Sequence, residues 1–155
     1  SAAEHAASVS PAPVPRDRTD AERKRIETLA GGSTSDYRAI RLELRQLMWK
    51  DAGVLRSQES LERALGAISR IGKRLRGVGA KDGRGLQHLL KTHSLLLSAE
   101  LLCHSALTRT ESRGAQSRTD YPGEDDDWLR SVVIRKGPEG PSVSTRPVSF
   151  PHIQP

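Results

Sequence analysis

The sequence has few of the residues on which disulfide-bonded, membrane-spanning or aromatic-rich proteins depend. Its 155 residues include one cysteine, one methionine, two tryptophans, two tyrosines and one phenylalanine. The single cysteine, Cys103, excludes an internal disulfide and is typical of a reducing compartment. The longest apolar runs, residues 95–97 and 99–103, are much shorter than the ~20 residues that cross a bilayer. We therefore expect an aliphatic core and no direct insertion into a membrane.

Motifs that hold cofactors or metal ions are also missing. We find no glycine-rich dinucleotide fingerprint, phosphate loop, nucleophile elbow or metal-ligand cluster. Residues 72–85 are rich in glycine, but no predicted strand precedes them, so they are a poor phosphate cradle. His93 and His104 lie about three helical turns apart, which is too far to share a metal ion. The sequence therefore predicts no catalytic, cofactor-binding or metal-binding residue in this chain.

The positive charge raises the question of nucleic-acid binding. The formal net charge is +6 and the isoelectric point is near 10. Six cations cluster between residues 70 and 84, but no aromatic side chain lies among them to stack on a base. Most of them fall at the end of a predicted helix, where cations complement the backbone dipole. We interpret this cluster as a solvated or domain-docking face and expect no nucleic-acid partner.

Three stretches repeat apolar residues at helical spacing. The first follows Ser35 and ends near Gly53, the second follows Ser57, and the third covers residues 86–112. Their apolar positions are Tyr37, Ile40, Leu44, Leu47 and Met48, then Leu61, Ala64, Leu65, Ile68, Ile71 and Leu75, and then Leu86, Leu89, Leu90, His93, Leu96, Leu97, Leu101 and Leu107. Because short glycine-containing connections join them, the sequence predicts a mostly α protein in which residues 35–112 form an antiparallel three-helix bundle.

The regions flanking this bundle have other compositions. Residues 1–18 indicate the tail of a preceding domain followed by a proline-rich linker. Thr19 and Glu22 are spaced as a capping box for a short leading helix, which Gly31 ends. The predicted divisions are residues 1–18, the helical domain at residues 19–122, and a last part at residues 123–155.

Two β-capable stretches lie in the last part of the chain. Residues 128–135 and 143–148 are rich in β-branched side chains, and glycine and proline lie between them. This pattern favours a short C-terminal β-hairpin. Since two strands alone are marginal in water, we expect the hairpin to lie on another surface.

A run of interleaved charges follows the third helical stretch. In residues 109–122, arginines alternate with acidic residues, serine, glycine and proline. We expect the helix to stop near Gly114, and the fixed donor geometry of arginine suits docking onto another surface. An ordinary solvated loop is the alternative on composition alone. The order of the residues favours docking.

This order resembles a signature near the C-terminus of one family, the flavoprotein subunits of succinate dehydrogenase and fumarate reductase. The matching residues are Glu111, Ser112, Arg113, Gly114, Ala115, Arg118, Asp120 and Pro122, followed by an acidic run and Trp128. Gln116 stands where the family pattern usually has His. Met48, Trp49, Gly53, Val54 and Arg56 are similar to the opening of the same family's C-terminal helical domain. L-aspartate oxidases share the signature.

The resemblance implies the C-terminal helical domain of a flavin-dependent dicarboxylate oxidoreductase. FAD would bind in the parent enzyme but not in this fragment, and hydride transfer would occur in domains that precede Ser1. The implied partners are the flavin-binding domain of the same chain and an iron–sulfur subunit. The implied location is cytoplasmic, at the inner face of a membrane through partner subunits. Glu111, Arg113, Arg118 and Asp120 would serve domain docking rather than chemistry.

Two other interpretations remain open at this point. The parent could be an L-aspartate oxidase, which oxidises a C–N rather than a C–C bond. The chain could instead be a stand-alone helical interaction module that binds an acidic partner. The coding region upstream of Ser1 distinguishes the enzyme from the module.

Overall fold

The computed structural model describes residues 4, 7–10, 13, 15–32, 37–138 and 140–149. Within this part of the chain, four long helices precede an antiparallel β-hairpin. The helices are α1 (Arg16–Ala30), α2 (Tyr37–Asp51), α3 (Gln58–Leu75) and α4 (Gly83–Thr108). The strands are β1 (Leu55–Arg56), β2 (Ser117–Arg118), β3 (Arg130–Lys136) and β4 (Pro141–Pro147), and a short 3-10 helix, Asp126–Trp128, precedes β3. The prediction of a mostly helical chain with a C-terminal hairpin is confirmed.

Helix α1 begins earlier than the sequence predicts, and the predicted capping box is wrong. The residue before its first turn is Pro15, whose φ of −61° already matches the helix. Thr19 therefore lies inside the helix, where its hydroxyl donates to the Pro15 carbonyl at 3.2 Å. The carboxylate of Glu22 accepts from Arg25 instead of capping the backbone. The predicted end at Gly31 is confirmed by its N–H, which donates to the Glu27 carbonyl.

The apolar faces of the three predicted helical stretches form one core. Helices α2, α3 and α4 contact one another pairwise. The fully buried members of the core include Leu44 of α2, Leu61 and Leu75 of α3, and Leu89 of α4. Each of these belongs to a predicted stripe, so burial follows the 3.6-residue period.

The N-terminal ends of α3 and α4 show how capping residues set where a helix begins. Ser57 and Ser60 cap α3 reciprocally, because each hydroxyl accepts the other residue's backbone N–H. Asp82 caps α4 by accepting the Gly85 N–H at 2.6 Å, so this helix begins at Gly83 rather than at residue 86. The predicted cap Ser35 lies outside the described residues.

A close approach between two backbones holds the end of α1 against the α3–α4 connection. The Ala80 N–H donates to the Leu29 carbonyl at 2.7 Å. Beside this bond, a Cβ added at Gly79 would lie 2.1 Å from the Cα of Gly32. Only glycine allows this contact.

We therefore expect Gly79→Ala to destabilise the chain by about 1–3 kcal/mol, because the backbones must separate. Chemical denaturation followed by circular dichroism measures the change. Gly83→Ala is the matched control, since a Cβ there meets nothing within 4 Å. Equal stability of the two variants would show that the Gly32–Gly79 contact is not needed.

The C-terminal hairpin lies on α4, as expected from the marginal stability of two strands. Strands β3 and β4 pair antiparallel with Ile134 opposite Val143, and both contact α4. The turn closes with a hydrogen bond from the Gly137 N–H to the Gly140 carbonyl. Gly140 has a φ of +140°, which side chains other than glycine rarely adopt.

Candidate docking site

The charged segment, which we define as residues 109–128, begins where α4 ends. The helix stops at Thr108 rather than near Gly114, so that prediction is wrong. The physical reason is that side chains from farther along the segment bind the last carbonyls of the helix and end it early. Gly114 instead forms a tight turn with a φ of +59°, in which Arg113 and Gln116 exchange backbone hydrogen bonds.

Arg118 is the main side chain at the C-terminus of α4. It is only 1% exposed. Its Nη1 donates to the carbonyls of Ala106 at 2.8 Å and Arg109 at 3.1 Å. A cation at this position also complements the negative end of the helix dipole. Arg118 therefore supplies donors that the helix backbone itself lacks.

The other edge of the same guanidinium forms a bidentate pair with Asp120. Arg118 Nε and Nη2 donate to the two carboxylate oxygens at 2.8 and 2.7 Å. Asp120 in turn accepts the backbone N–H of Gln58, the first residue of α3, at 2.9 Å. One ion pair thus joins the C-terminal end of α4 to the N-terminal end of α3. The hydrogen bonds from Arg118, more than that from Gln58, hold the pKa of Asp120 well below its usual range.

Glu111 is the centre of a second cluster. Its side chain is fully buried and accepts from the guanidinium groups of Arg109 and Arg113. The Asp125 N–H also donates to it at 3.0 Å. Burial alone would raise the pKa of Glu111, but the hydrogen bonds from Asp125, Arg109 and Arg113 outweigh it and lower that pKa.

Arg109 connects this cluster to the start of the hairpin. It donates to the backbone carbonyls of Trp128 and Arg130, and its guanidinium lies 5.2 Å from the centre of the Trp128 ring. The Trp128 indole N–H donates to the Thr110 hydroxyl at 2.9 Å. Arg109 and Trp128 therefore join the start of the hairpin to the C-terminal end of α4.

Gln116 stands where the resembled signature usually has His. Its amide nitrogen donates to the Arg109 carbonyl at 3.2 Å, beside the bonds of Arg118. This is a structural contact at the end of α4. Because a carboxamide does not ionise near neutral pH, Gln116 cannot replace a histidine in proton transfer.

A short parallel strand pair connects the segment to the α2–α3 loop. Leu55 pairs with Ser117 and Arg56 with Arg118. The Thr119 N–H donates to the Arg56 carbonyl at 2.9 Å. The charged segment is therefore fixed to three places in the helical core.

The structure brings the four predicted docking residues into two ion-pair clusters. Arg113 and Asp120 keep about a third of their side chains exposed, 32% and 29%. Glu111 and Arg118 are buried among groups of this chain itself. Sequence reasoning missed Arg109, Gln116 and the backbone of Gln58 as their partners. The alternation of charge in the segment was the signal for pairing, but it did not show which groups pair.

The lowered pKa values predict acid sensitivity. A carboxylate whose pKa is depressed in the folded state stabilises the fold at a pH above its ordinary pKa. This stabilisation is lost as the pH falls from the ordinary pKa towards the depressed pKa. The ordinary values are 4.5 for Glu111 and 3.8 for Asp120. We expect the denaturant midpoint to fall between about pH 5 and about pH 3. Asp120→Asn should flatten this dependence, and an unchanged slope would contradict the assignment.

The described residues show no group that could hold a metal ion and no helix that could cross a membrane. No group of three or more His, Cys, Asp or Glu side chains in this part of the chain could hold a metal ion. None of its helices is both long and apolar enough to cross a bilayer. In the described part, β1 leads directly into α3 through Ser57 without a glycine-rich turn. This junction therefore lacks the strand, glycine-rich turn and helix that cradle a dinucleotide in the Rossmann fold.

Known proteins are similar to this chain in sequence. The family described as fumarate reductase flavoprotein C-term matches residues 41–155. One polypeptide of the fumarate reductase (CoM/CoB) of Methanothermobacter marburgensis is 34% identical over 125 residues, which cover 78% of this chain and 23% of that protein. The succinate dehydrogenase flavoprotein subunit of Rickettsia conorii is 35% identical over 100 residues, 61% of this chain and 17% of that protein. An L-aspartate oxidase of Synechocystis is 31% identical over 125 residues, 69% of this chain and 22% of that protein.

A solved structure has the same fold. Sdh1 of Mycobacterium smegmatis, in complex with UQ1, superposes with a TM-score of 0.86 at 23% identity, and the match covers 98% of this chain and 27% of that one. The chain spans about a fifth of the length of the curated relatives it matches. The match across residues 41–155 includes the charged segment and both of its ion-pair clusters. The chain therefore belongs to the family of fumarate reductase flavoprotein C-terminal domains.

Proposed function

We propose that this chain is the C-terminal domain of a flavin-dependent dicarboxylate oxidoreductase of the succinate dehydrogenase and fumarate reductase type. The observation that carries the proposal is the family match over residues 41–155 in a chain about a fifth as long as its relatives. The parent transfers hydride between bound FAD and a succinate-like C–C bond. The proposed binding site for FAD lies in the part of the parent that precedes this chain, since the chain matches only about a fifth of its relatives' length.

The domain packs on the flavin-binding domain as a rigid unit. Its body is the antiparallel three-helix bundle of α2, α3 and α4, and residues 123–155 are the hairpin and tail. The connection is residues 1–15 rather than the predicted 1–18, because α1 begins at Arg16. Glu111, Arg113, Arg118 and Asp120 act in this docking. Burial of Glu111 and Arg118 fixes the segment, while the exposed parts of Arg113 and Asp120 are available to the neighbouring domain.

The same proposal gives the chain its partners and location. The flavin-binding domain of the parent is the direct partner, and an iron–sulfur subunit joins the assembled enzyme. The protein is cytoplasmic and reaches the inner face of the membrane through partner subunits.

An L-aspartate oxidase parent is the second candidate, which the relative from Synechocystis favours. Assays of the full-length parent with succinate and with L-aspartate separate the two. A stand-alone interaction module is the third.

The test is to sequence the coding region upstream of Ser1. We expect the reading frame to continue into a flavin-binding domain with an early glycine fingerprint. An independent start codon directly before this chain would overturn the proposal. A purified full-length parent that oxidises neither succinate nor L-aspartate, and does not reduce fumarate, would overturn the assigned chemistry.

A further inference from the structure

An open apolar groove lies between α2 and α4. Its volume is about 630 Å³. The large apolar side chains that line it are Leu42, Leu44, Met48, Trp49, Leu95 and Leu102. Trp49 is 85% exposed and Leu42 is 55% exposed. An apolar patch of this kind on a small domain marks an interaction surface.

The groove is continuous with the charged segment. Beyond Gly53 at its end, Val54 and Leu55 are also largely exposed. The Val54 carbonyl accepts the Ser117 N–H, and Leu55 pairs with Ser117 across the β1–β2 ladder. Exposed apolar side chains therefore extend from Trp49 to the segment assigned to docking.

Helix α2, which lines one side of the groove, carries cations that are unpaired within the described part of the chain. Arg45 lines the groove, and Arg41 and Lys50 lie on the same helix without an ion-pair partner among the described residues. The acidic residues of α2 are already engaged, since Glu43 pairs with Arg74 and Asp51 with Arg63. In a two-fold dimer this face would meet its own copy, so the same cations would lie on both sides of the contact. An occupant with an apolar centre and an acidic edge fits instead.

The size of the relatives indicates what this occupant is. In the Sdh1 structure, the same fold accounts for only 27% of the chain. An interface with an apolar centre and charged residues only at its rim is typical of permanent contacts between domains or subunits. We propose that the α2–α4 groove is the surface on which the flavin-binding domain of the parent docks, through an apolar patch edged by acidic side chains. This inference rests on the function proposed above and adds the apolar part of the contact.

Thiol accessibility tests the proposal in the intact proteins. Leu42→Cys places a thiol in the groove, and Leu97→Cys is the matched control, because Leu97 is 54% exposed and does not line the groove. The native Cys103 gives little background, since it is buried and burial raises the pKa of its thiol to about 11. Each variant is made in the 155-residue chain and in the full-length parent, whose cysteines outside this chain are replaced by serine. The probe is DTNB at neutral pH.

We expect Leu42→Cys to react at least ~50-fold more slowly in the parent than in the 155-residue chain, because docking must open before the thiol reacts. The reaction rates of Leu97→Cys in the two proteins should agree within about twofold, since docking leaves this thiol exposed. Adding Arg45→Glu should speed the reaction of Leu42→Cys in the parent about fivefold, because it opposes the acidic edge.

Three outcomes would overturn the proposal, and they are distinguishable. A flavin-containing parent in which Leu42→Cys reacts as fast as in the 155-residue chain removes the groove from the interface and leaves the proposed function intact. Slow reaction in the 155-residue chain that depends on its concentration shows that a second copy covers the groove. A reading frame without a flavin-binding domain refutes the proposed function, and this inference falls with it.

Discussion

Arg118→Ala is expected to lower the free energy of unfolding of the 155-residue chain by about 3 kcal/mol, the size typical of breaking a buried ion pair. The guanidinium is 1% exposed and bonds both Asp120 and the carbonyls at the end of α4. Without it, the Ala106 carbonyl is left with the longer hydrogen bond from Gln116, at 3.4 Å. The carboxylate of Asp120 loses its cation. Urea unfolding followed by circular dichroism at neutral pH measures the loss.

Arg113→Ala is the matched control for this change. Arg113 lies in the same segment but is about a third exposed, and its partner Glu111 keeps the hydrogen bond from Arg109. Its loss of stability should be much smaller than that of Arg118→Ala. If instead Arg113→Ala destabilises the chain as much as Leu89→Ala in the core, Arg113 is a structural residue. Its assignment to docking would then be abandoned.

Glu111→Ala is expected to have the second-largest effect, about 2 kcal/mol, because it leaves buried donors without an acceptor. Those donors are the guanidinium groups of Arg109 and Arg113 and the Asp125 N–H. Thermal unfolding measures the stability. The fluorescence of Trp128, whose ring lies beside Arg109, reports on the hairpin contact.

Two variants separate charge from packing at this position. Glu111→Gln keeps the shape and one acceptor oxygen, so it should lose less stability than Glu111→Ala. Glu124→Ala removes an acid of the same segment that is 61% exposed, and it should leave the unfolding temperature nearly unchanged. If Glu124→Ala and Glu111→Ala lower the unfolding temperature equally, the buried carboxylate does not organise the segment.

The helical core could be predicted because its signal is periodic. Leu44, Leu61 and Leu89 recur at helical spacing, and all three are fully buried. The ends of the helices were harder to predict, since several neighbouring residues could each cap the same helix. Pro15 starts α1 before the Thr19 and Glu22 pair that looked like a capping box.

The end of α4 shows a second limit of sequence reasoning. Gly114 is a common helix terminator, yet the helix ends at Thr108 because Arg118 and Gln116 bind its last carbonyls. Those donors lie eight or more residues beyond the end of the helix. A pattern read in a local window does not show contacts at that separation.

The sequence names the residues of the candidate site but not their geometry, and their role in docking stays a prediction. The order of charges around Glu111 and Arg118 identified the segment. The bond from the Gln58 N–H to Asp120 joins residues 62 positions apart, and only the fold brings them together. The resemblance therefore located the segment. The structure shows that Glu111 and Arg118, two of the four predicted docking residues, are buried and hold the domain itself together.

The central claim is that this chain is the C-terminal domain of a flavoprotein and packs on the flavin-binding domain. Its most direct test is the visible absorption spectrum of the polypeptide translated from the whole reading frame, purified beside the 155-residue chain. We expect one bound flavin per parent polypeptide and none on the 155-residue chain. A parent without flavin, or a yellow 155-residue chain with stoichiometric flavin, would contradict it.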